Sequence, residues 1–231
     1  MTDVGRLLGR GRDAEIFDLG GGRVLRRAMD GRSLAAEAAV MAHAHAAGVP
    51  VPAVHDVTAA GEIVMDRVDG RTLGEELLVG AVSMDAAMRT LVDLHDAVHA
   101  VPAPPDLPRR TLDGDRLLHL DLHVLNVISG DDGPVLIDWA MARAGPPEAD
   151  LAMTWILHSS VAAAEAGHVE EKEFVHLRRA LSKSLLALVD VSAVATVLPE
   201  VSAWRCADPS VSAAEADRVR ALCATFPAIP T

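Results

Sequence analysis

Residues 117–126 have the sequence LLHLDLHVLN, and residues 135–139 have the sequence VLIDW. Between them, a Gly-Asp-Asp-Gly segment at residues 130–133 is typical of a tight turn. We therefore predict that the apolar residues on either side of this turn pair as a short hairpin. Such a hairpin would bring Asn126 and Asp138 close together at one end.

The oxygen-bearing side chains of this hairpin suit a metal ion and phosphates. Mg²⁺ accepts carboxylate and amide oxygens beside its waters and substrate phosphates. Asn126 and Asp138 would supply such oxygens, which leaves Asp121 to face a substrate hydroxyl. Near the N-terminus, Gly9 and Gly11 lie two residues apart. Glycines allow a backbone to approach phosphates closely.

At these residues the sequence resembles the aminoglycoside phosphotransferase and choline-kinase-like family, which has the protein-kinase superfold. The pattern His119-x-Asp121-x4-Asn126 resembles the HxDxxxxN catalytic loop of that family. Residues 137–139 resemble its metal-binding IDW element, and residues 147–152 resemble its PxxDLA element.

The resemblance implies an α+β, two-lobed, protein-kinase-like fold. A small N-lobe of antiparallel strands and one helix would span residues 1–68. A mainly helical C-lobe would span residues 69–231 and carry the catalytic hairpin at residues 117–140. Residues 65–70 resemble the hinge between the lobes. The resemblance covers residues 5–155 and thins out beyond them.

The resemblance also implies a role for individual residues. Asp121 would be the catalytic base toward the acceptor hydroxyl, and Asn126 and Asp138 would hold Mg²⁺ against the phosphates of ATP. Glu148 and Asp150 are candidates for substrate binding, although Asp150 could equally brace the catalytic loop. The residues expected to bind the nucleotide are Gly9, Gly11, Arg26, Glu37, Asp66 and Val68.

Two residues depart from the pattern of the family. Arg26 stands where the family usually has a phosphate-binding Lys, and a planar guanidinium is not equivalent to a compact ammonium. The neighbouring Arg27 could occupy that position instead. Leu120 stands where this branch usually has Gly, and a Leu adopts a positive φ only at a cost. These departures leave open a nucleotide-binding pseudokinase that acts by interaction.

Two histidines in a predicted helix have a spacing that can bind metal. His95 and His99 are four residues apart, so they share one helix face. The sequence indicates no third ligand, and we therefore interpret both as packing or surface residues.

Composition excludes several classes of protein. The chain has 231 residues, of which 50% are hydrophobic and only 3% aromatic, so it can build a core but offers few rings for stacking bases. Its net charge of −12 repels phosphate backbones and anionic lipids. We therefore expect no nucleic-acid or membrane partner. The absence of an apolar leader and of a CxxC pair predicts a cytoplasmic location.

We predict an ATP-dependent phosphotransferase that phosphorylates a hydroxyl of a small molecule. An aminoglycoside or related antibiotic is the leading acceptor, because the family and the acidic balance both favour a cationic substrate and hence a role in antibiotic resistance. A kinase for choline, homoserine or a sugar is the alternative. The oligomeric state is left open.

Overall fold

The computed structural model describes residues 5–11, 13–160 and 171–226. An antiparallel sheet and one helix form its N-terminal part. The strands are β1 (Leu7–Arg10), β2 (Ala14–Gly20), β3 (Arg23–Ala28), β4 (Val54–Val57) and β5 (Ile63–Asp66), and the helix is α1 (Ala35–Ala46). The strand order is β1-β2-β3-β5-β4, so that β3 lies at the centre of the sheet.

The turn between β2 and β3 explains why three glycines occur in succession. Gly20, Gly21 and Gly22 have φ values of 73°, 60° and 73°, a conformation that is costly for other residues. As the central strand, β3 is paired along both edges, and consecutive side chains point to opposite faces of the sheet. Val24 and Leu25 are each 4% exposed, and Arg26 is 8% exposed. The sheet therefore fixes Arg26 in a buried position.

The C-terminal part is mainly helical and carries two small antiparallel sheets. Its helices are α2 (Leu73–Leu78), α3 (Met84–His99), α4 (Pro147–Ser160), α5 (Glu171–Leu186), α6 (Val191–Cys206) and α7 (Ala213–Ala224). Its strands are β6 (Arg71–Thr72), β7 (Arg116–Leu118), β8 (Val127–Gly130), β9 (Gly133–Leu136) and β10 (Arg143–Gly145). β7 pairs with β10, and β8 pairs with both β6 and β9.

The predicted turn at residues 130–133 joins β8 to β9. Ile128 pairs with Val135 in the ladder, and Gly130 pairs with Gly133 at its tip. Asn126 directly precedes β8, and residues 137–138 follow β9. The hairpin thus places the two polar positions side by side at its open end.

Helix α3 begins at a capping serine and buries one face. The Oγ of Ser83 accepts a hydrogen bond from the N–H of Ala86. Apolar residues three and four apart pack into the core on this face, and His95 lies among them. They are Ala87, Met88, Leu91, Leu94 and Val98.

This arrangement agrees with the predicted α+β class, with an antiparallel N-terminal sheet and a helical C-terminal part. The first sheet ends at Asp66 and β6 begins at Arg71. The lobe boundary at residues 68 and 69 falls in this gap and stays a prediction. Residues 161–170 and 227–231 of the predicted C-lobe lie outside the described residues.

No described helix combines the length and apolarity that crossing a lipid bilayer requires.

Candidate active site

A cleft of about 590 Å³ lies between the N-terminal sheet and the β8–β9 hairpin. Its lining includes the eight residues that we expected to bind nucleotide or metal: Gly9, Gly11, Arg26, Glu37, Asp66, Val68, Asn126 and Asp138. Apolar residues that we did not identify from the sequence complete its walls: Leu8, Ile16, Val24, Met65, Ile128 and Ile137.

Strand alternation is the signal that could have identified part of this apolar wall. Val24 and Arg26 are two residues apart on β3, so their side chains lie on the same face of the sheet. Met65 is the cross-strand partner of Val24 on β5. If Arg26 faces the cleft, the two-residue repeat of a strand predicts that Val24 faces it as well. The pairing of β3 with β5 then predicts Met65.

The glycine pair leaves open space beside the backbone. The N–H of Gly11 donates to the carbonyl of Ala14 at 2.9 Å, which closes a turn. A Cβ added at Gly9 would meet no protein atom within 4 Å. The packing of the protein itself therefore does not require glycine at this position. Because Gly9 lines the cleft, the space beside its backbone is available to a ligand.

Arg26, not Arg27, enters the cleft. Nη2 of Arg26 lies 2.9 Å from Oδ1 of Asp138 and 3.2 Å from Oε1 of Glu37. Arg27 instead pairs with Glu62. Arg26 therefore occupies the position where the family usually has Lys, and its guanidinium bridges two carboxylates.

Glu37 brings a carboxylate from α1 to this bridge. Its side chain is 5% exposed. Burial raises the pKa of Glu37 and the Arg26 guanidinium opposes that rise, whereas the Asp138 carboxylate adds to it. Arg26 is therefore the positive charge that allows two acidic groups to share this end of the cleft.

The catalytic loop joins the predicted base to a predicted metal ligand. Nδ2 of Asn126 donates to the carbonyl of Asp121 at 2.9 Å and to its Oδ2 at 3.0 Å. This orientation leaves Oδ1 of Asn126 as an acceptor. The N–H of Ile137 donates to the carbonyl of Asn126 at 2.9 Å, which holds Asp138 beside Asn126. Asp121 is thus linked to the cleft through Asn126.

Asp150 lies beneath the catalytic loop, with 0% of its side chain exposed. Its Oδ1 accepts from the N–H of Leu120 at 2.7 Å, and its Oδ2 accepts from the N–H of His119 at 2.8 Å. Because the side chain offers no surface to a substrate, the structure favours the alternative prediction for Asp150, that it braces the loop. Glu148 is half-buried in the first turn of α4, and its substrate role stays a prediction.

The hydrogen bond with His99 helps to hold this carboxyl in its ionised form. Burial alone would raise the pKa of Asp150, but the contact with His99 opposes burial, and that pKa lies well below its usual range. An ionised carboxylate is the stronger acceptor for backbone N–H groups.

The catalytic loop contains a strained backbone. Among the described residues, the non-glycine residues with positive φ are Leu120 at 59° and Asp138 at 64°. Such a conformation costs about 1–2 kcal/mol for an L-residue. Leu120 is 2% exposed, so its side chain packs in the core while Asp150 holds its N–H. Strain of this kind persists only where the surroundings fix it.

His119 connects the catalytic loop to the segment after β9. Its Nε2 donates to the carbonyl of Ile137 at 3.1 Å, and its Nδ1 accepts from the N–H of Asp121 at 3.2 Å. Its ring lies edge-on to that of Trp139, with centroids 4.7 Å apart. Burial lowers the pKa of His119 to about 4. The ring is therefore neutral near pH 7 and has a structural role.

The chain matches a known protein family, and its fold is similar to solved structures. The family model of the phosphotransferase enzyme family (APH) matches residues 4–117 and 107–181. A choline/ethanolamine kinase family protein from Mesorhizobium loti is 18% identical with a TM-score of 0.55, covering 96% of this chain and 87% of its own. Among curated protein sequences, none matches this chain.

Two aminoglycoside phosphotransferase structures are also similar. ADP-bound APH(2'')-Ib is 12% identical with a TM-score of 0.58, covering 97% of this chain and 95% of its own. The gentamicin complex of APH(2'')-IIa is 13% identical with a TM-score of 0.56, covering 87% of this chain and 82% of its own. At such identities the likeness concerns the fold, and it confirms the predicted kinase-like fold.

We predict that Asp150→Asn loosens the catalytic loop. The amide has only one acceptor oxygen, so its NH₂ group would face the N–H of Leu120 or His119. The unfolding free energy should fall by about 2–4 kcal/mol in urea denaturation, because a buried hydrogen-bonded charge is lost. The exposed Asp217→Asn is the matched control. Equal stability of both variants and the parent would contradict the role of Asp150.

We also predict that stability declines on acidification below about pH 6.5. The folded-state pKa of His119, about 4, is lower than the unfolded value of 6.5. The stabilisation from the neutral ring is therefore complete above pH 6.5 and is lost as pH falls through 4. It amounts to about 3 kcal/mol. Urea denaturation between pH 7 and 4 should give a flatter profile for His119→Gln, and an unchanged slope would count against this assignment.

Proposed function

This chain belongs to the phosphotransferase enzyme family, whose members phosphorylate hydroxyl groups of small molecules, and on that premise we propose that it transfers the γ-phosphoryl group of ATP with Asp121 as catalytic base. The observation that carries the proposal is the convergence of the expected nucleotide and metal residues on one cleft. The double hydrogen bond from Asn126 to Asp121 links this cleft to the base.

The side of the cleft next to residues 65–70 suits an adenine ring. Its walls carry Val24 and Met65 from the sheet and Ile128 and Ile137 from the hairpin, which provides apolar surfaces for a flat ring. In the described part of the chain, no backbone carbonyl accepts from the N–H of Val68. This N–H is our proposed donor to the adenine edge.

The oxygen atoms at the open end of the hairpin suit Mg²⁺. The free amide oxygen of Asn126 and the carboxylate of Asp138 are hard donors, and both line the cleft. Two protein ligands leave room for waters and phosphate oxygens. Bound there, Mg²⁺ would neutralise charge on the phosphates during transfer.

Asp121 would act on the acceptor. The acceptor hydroxyl oxygen forms a bond to the γ-phosphorus, the bond from that phosphorus to the bridging oxygen of ADP breaks, and the hydroxyl proton passes to the Asp121 carboxylate. Because Nδ2 of Asn126 holds Oδ2 of Asp121, it fixes the orientation of the carboxylate. Positioning of this kind is the main contribution of a protein to phosphoryl transfer.

Arg26 connects metal binding to phosphate binding. Its guanidinium is within 2.9 Å of Oδ1 of Asp138, a proposed metal ligand. A metal ion and Arg26 therefore compete for one carboxylate. When Mg-ATP enters, Arg26 would exchange Asp138 for the phosphates and keep its contact with Glu37.

For the acceptor, we propose an aminoglycoside or a related cationic antibiotic, and hence a role in resistance within the cytoplasm. The net charge of −12 attracts cations, and one similar structure is a gentamicin complex. Small metabolites such as choline, homoserine or a sugar are the alternative, since a choline/ethanolamine kinase family protein is also similar.

The direct test is a panel of hydroxyl-bearing antibiotics and metabolites incubated with Mg-ATP. Mass spectrometry should show the mass gain of one phosphoryl group on at least one compound. If the protein binds Mg-ATP but no member of a broad panel gains a phosphoryl group, the result favours the nucleotide-binding pseudokinase alternative.

We expect Asp121→Ala to lower turnover by about 10²–10⁴-fold, because proton removal from the acceptor is lost. ATP affinity, measured by titration calorimetry, should stay within about twofold, since the apolar walls and the metal ligands remain. Asp131→Asn, at the exposed tip of the β8–β9 hairpin, is the matched control. Retained turnover in the Asp121 variant would remove this residue from its role.

Arg26→Lys should lower the Mg²⁺ concentration that gives half-maximal activity. Both contacts of Arg26 come from Nη2, and the ammonium of Lys lies one bond nearer the backbone, so it reaches Asp138 less closely. If the pair with Asp138 contributes about 0.5–1 kcal/mol, its loss corresponds to about a two- to fivefold shift. Activity measured against Mg²⁺ at fixed ATP gives this shift. Arg27→Lys is the control, and an equal or higher requirement in the Arg26 variant would contradict the competition.

A further inference from the structure

A cluster of three metal-binding side chains lies beneath the catalytic loop, apart from the cleft. His95 and His99 come from α3, and Asp150 comes from α4. Their ligand atoms all lie within 4.8 Å of one another. Oδ2 of Asp150 is 3.1 Å from Nε2 of His99 and 3.7 Å from Nδ1 of His95. The structure thus supplies the third ligand that the sequence did not indicate.

The hydrogen bonds around Thr154 determine which nitrogen of His95 carries the proton. The hydroxyl of Thr154 donates to the carbonyl of Leu122 at 2.8 Å. Its oxygen is therefore the acceptor in the 3.0 Å contact with Nε2 of His95. With the proton on Nε2, the Nδ1 atom of a neutral ring has a lone pair.

This lone pair is directed into the cluster and has no partner. Nδ1 of His95 is fully buried and forms no hydrogen bond in the described part of the chain. It is 3.7 Å from a carboxylate oxygen of Asp150, which is longer than a hydrogen bond. Two electron-rich atoms that face each other away from water are unfavourable unless a cation lies between them.

A second proton on Nδ1 is the simplest cation, but the surroundings oppose it. His95 is 0% exposed, and a buried charge is costly unless hydrogen bonds satisfy it. The carboxylate that would favour the proton already accepts hydrogen bonds from the N–H of His119 and from His99 on the same oxygen. A metal ion satisfies the lone pair and the carboxylate together.

We propose that Nδ1 of His95, Nε2 of His99 and Oδ2 of Asp150 bind one Zn²⁺ ion. Tetrahedral zinc has bonds of about 2.0–2.1 Å to such ligands, which puts ligand atoms about 3.3–3.4 Å apart. The observed separations of 3.1 and 3.7 Å lie on either side of this value. Two imidazoles distinguish this site from the all-oxygen magnesium site in the cleft.

The surroundings also provide the outer contacts that zinc sites require. Metal-binding imidazoles usually donate their other N–H to an oxygen, as His95 does to Thr154. The backbone N–H groups of His119 and Leu120 orient the Asp150 carboxylate. The side chain of His99 is 9% exposed, so a water molecule can reach the fourth position from its side. The ion would tie α3 and α4 to the brace of the catalytic loop.

The test compares zinc retention by the full chain and its His99→Gln variant. Both are stripped with a chelator, loaded with Zn²⁺ in excess Mg²⁺, dialysed and analysed by inductively coupled plasma mass spectrometry. The wild-type protein should retain one more zinc per chain than the variant, whose affinity should be at least about 10–100-fold lower. Gln keeps an N–H donor for Asp150, and His45→Gln, on the exposed face of α1, is the control.

A spectroscopic arm does not depend on the folding of a variant. Co²⁺ added to the stripped wild-type protein should give the intense visible bands of a four-coordinate ion, and Zn²⁺ should abolish them. Zinc should also raise the melting temperature of the wild type and of His45→Gln. Weak octahedral bands, or equal zinc retention by wild type and His99→Gln, would overturn the proposal and leave a proton on Nδ1 as the cation.

Discussion

A single buried carboxylate holds the catalytic loop in a conformation that its own sequence disfavours. Leu120 has a φ of 59°, and Asp150 accepts hydrogen bonds from its N–H and from that of His119. Because Asp150 comes from α4, the loop is fixed to the helical core as well as to its neighbours in sequence. Asp121 directly follows this anchored segment, and Asn126 bonds to it. The geometry proposed for phosphoryl transfer therefore depends on one interaction with a rigid helix.

The second constraint crosses the cleft. Arg26 on the central strand contacts Glu37 on α1 and Asp138 after the hairpin. This charged bridge joins the N-terminal sheet to the segment after β9, where we propose that the metal binds. Asp150 holds the segment that leads into the proposed base, and Arg26 contacts the proposed metal ligand. The site is thus fixed from two sides by groups that do not themselves react.

A local pattern was sufficient to predict the hairpin, because it places residues near in sequence near in space. The resemblance to the family predicted the polar residues and glycines of the cleft, but not its apolar walls. The choice between Arg26 and Arg27 needed the structure, since the central strand is covered on both faces. The role of Asp150 also needed the structure, because its contact residue His99 lies 51 residues away in the sequence. Burial and partners at such separations follow from helix packing, which no short motif encodes.

Hydrogen exchange of individual amides tests the anchoring of the loop most directly. An N–H that donates to a buried carboxylate exchanges only when the surrounding structure opens. Measured by NMR near neutral pH, the amides of His119 and Leu120 should be protected nearly as well as those in the centre of α4. Exchange as fast as that of the exposed amides at Asp131 and Asp132 would mean that the carboxylate does not hold the loop.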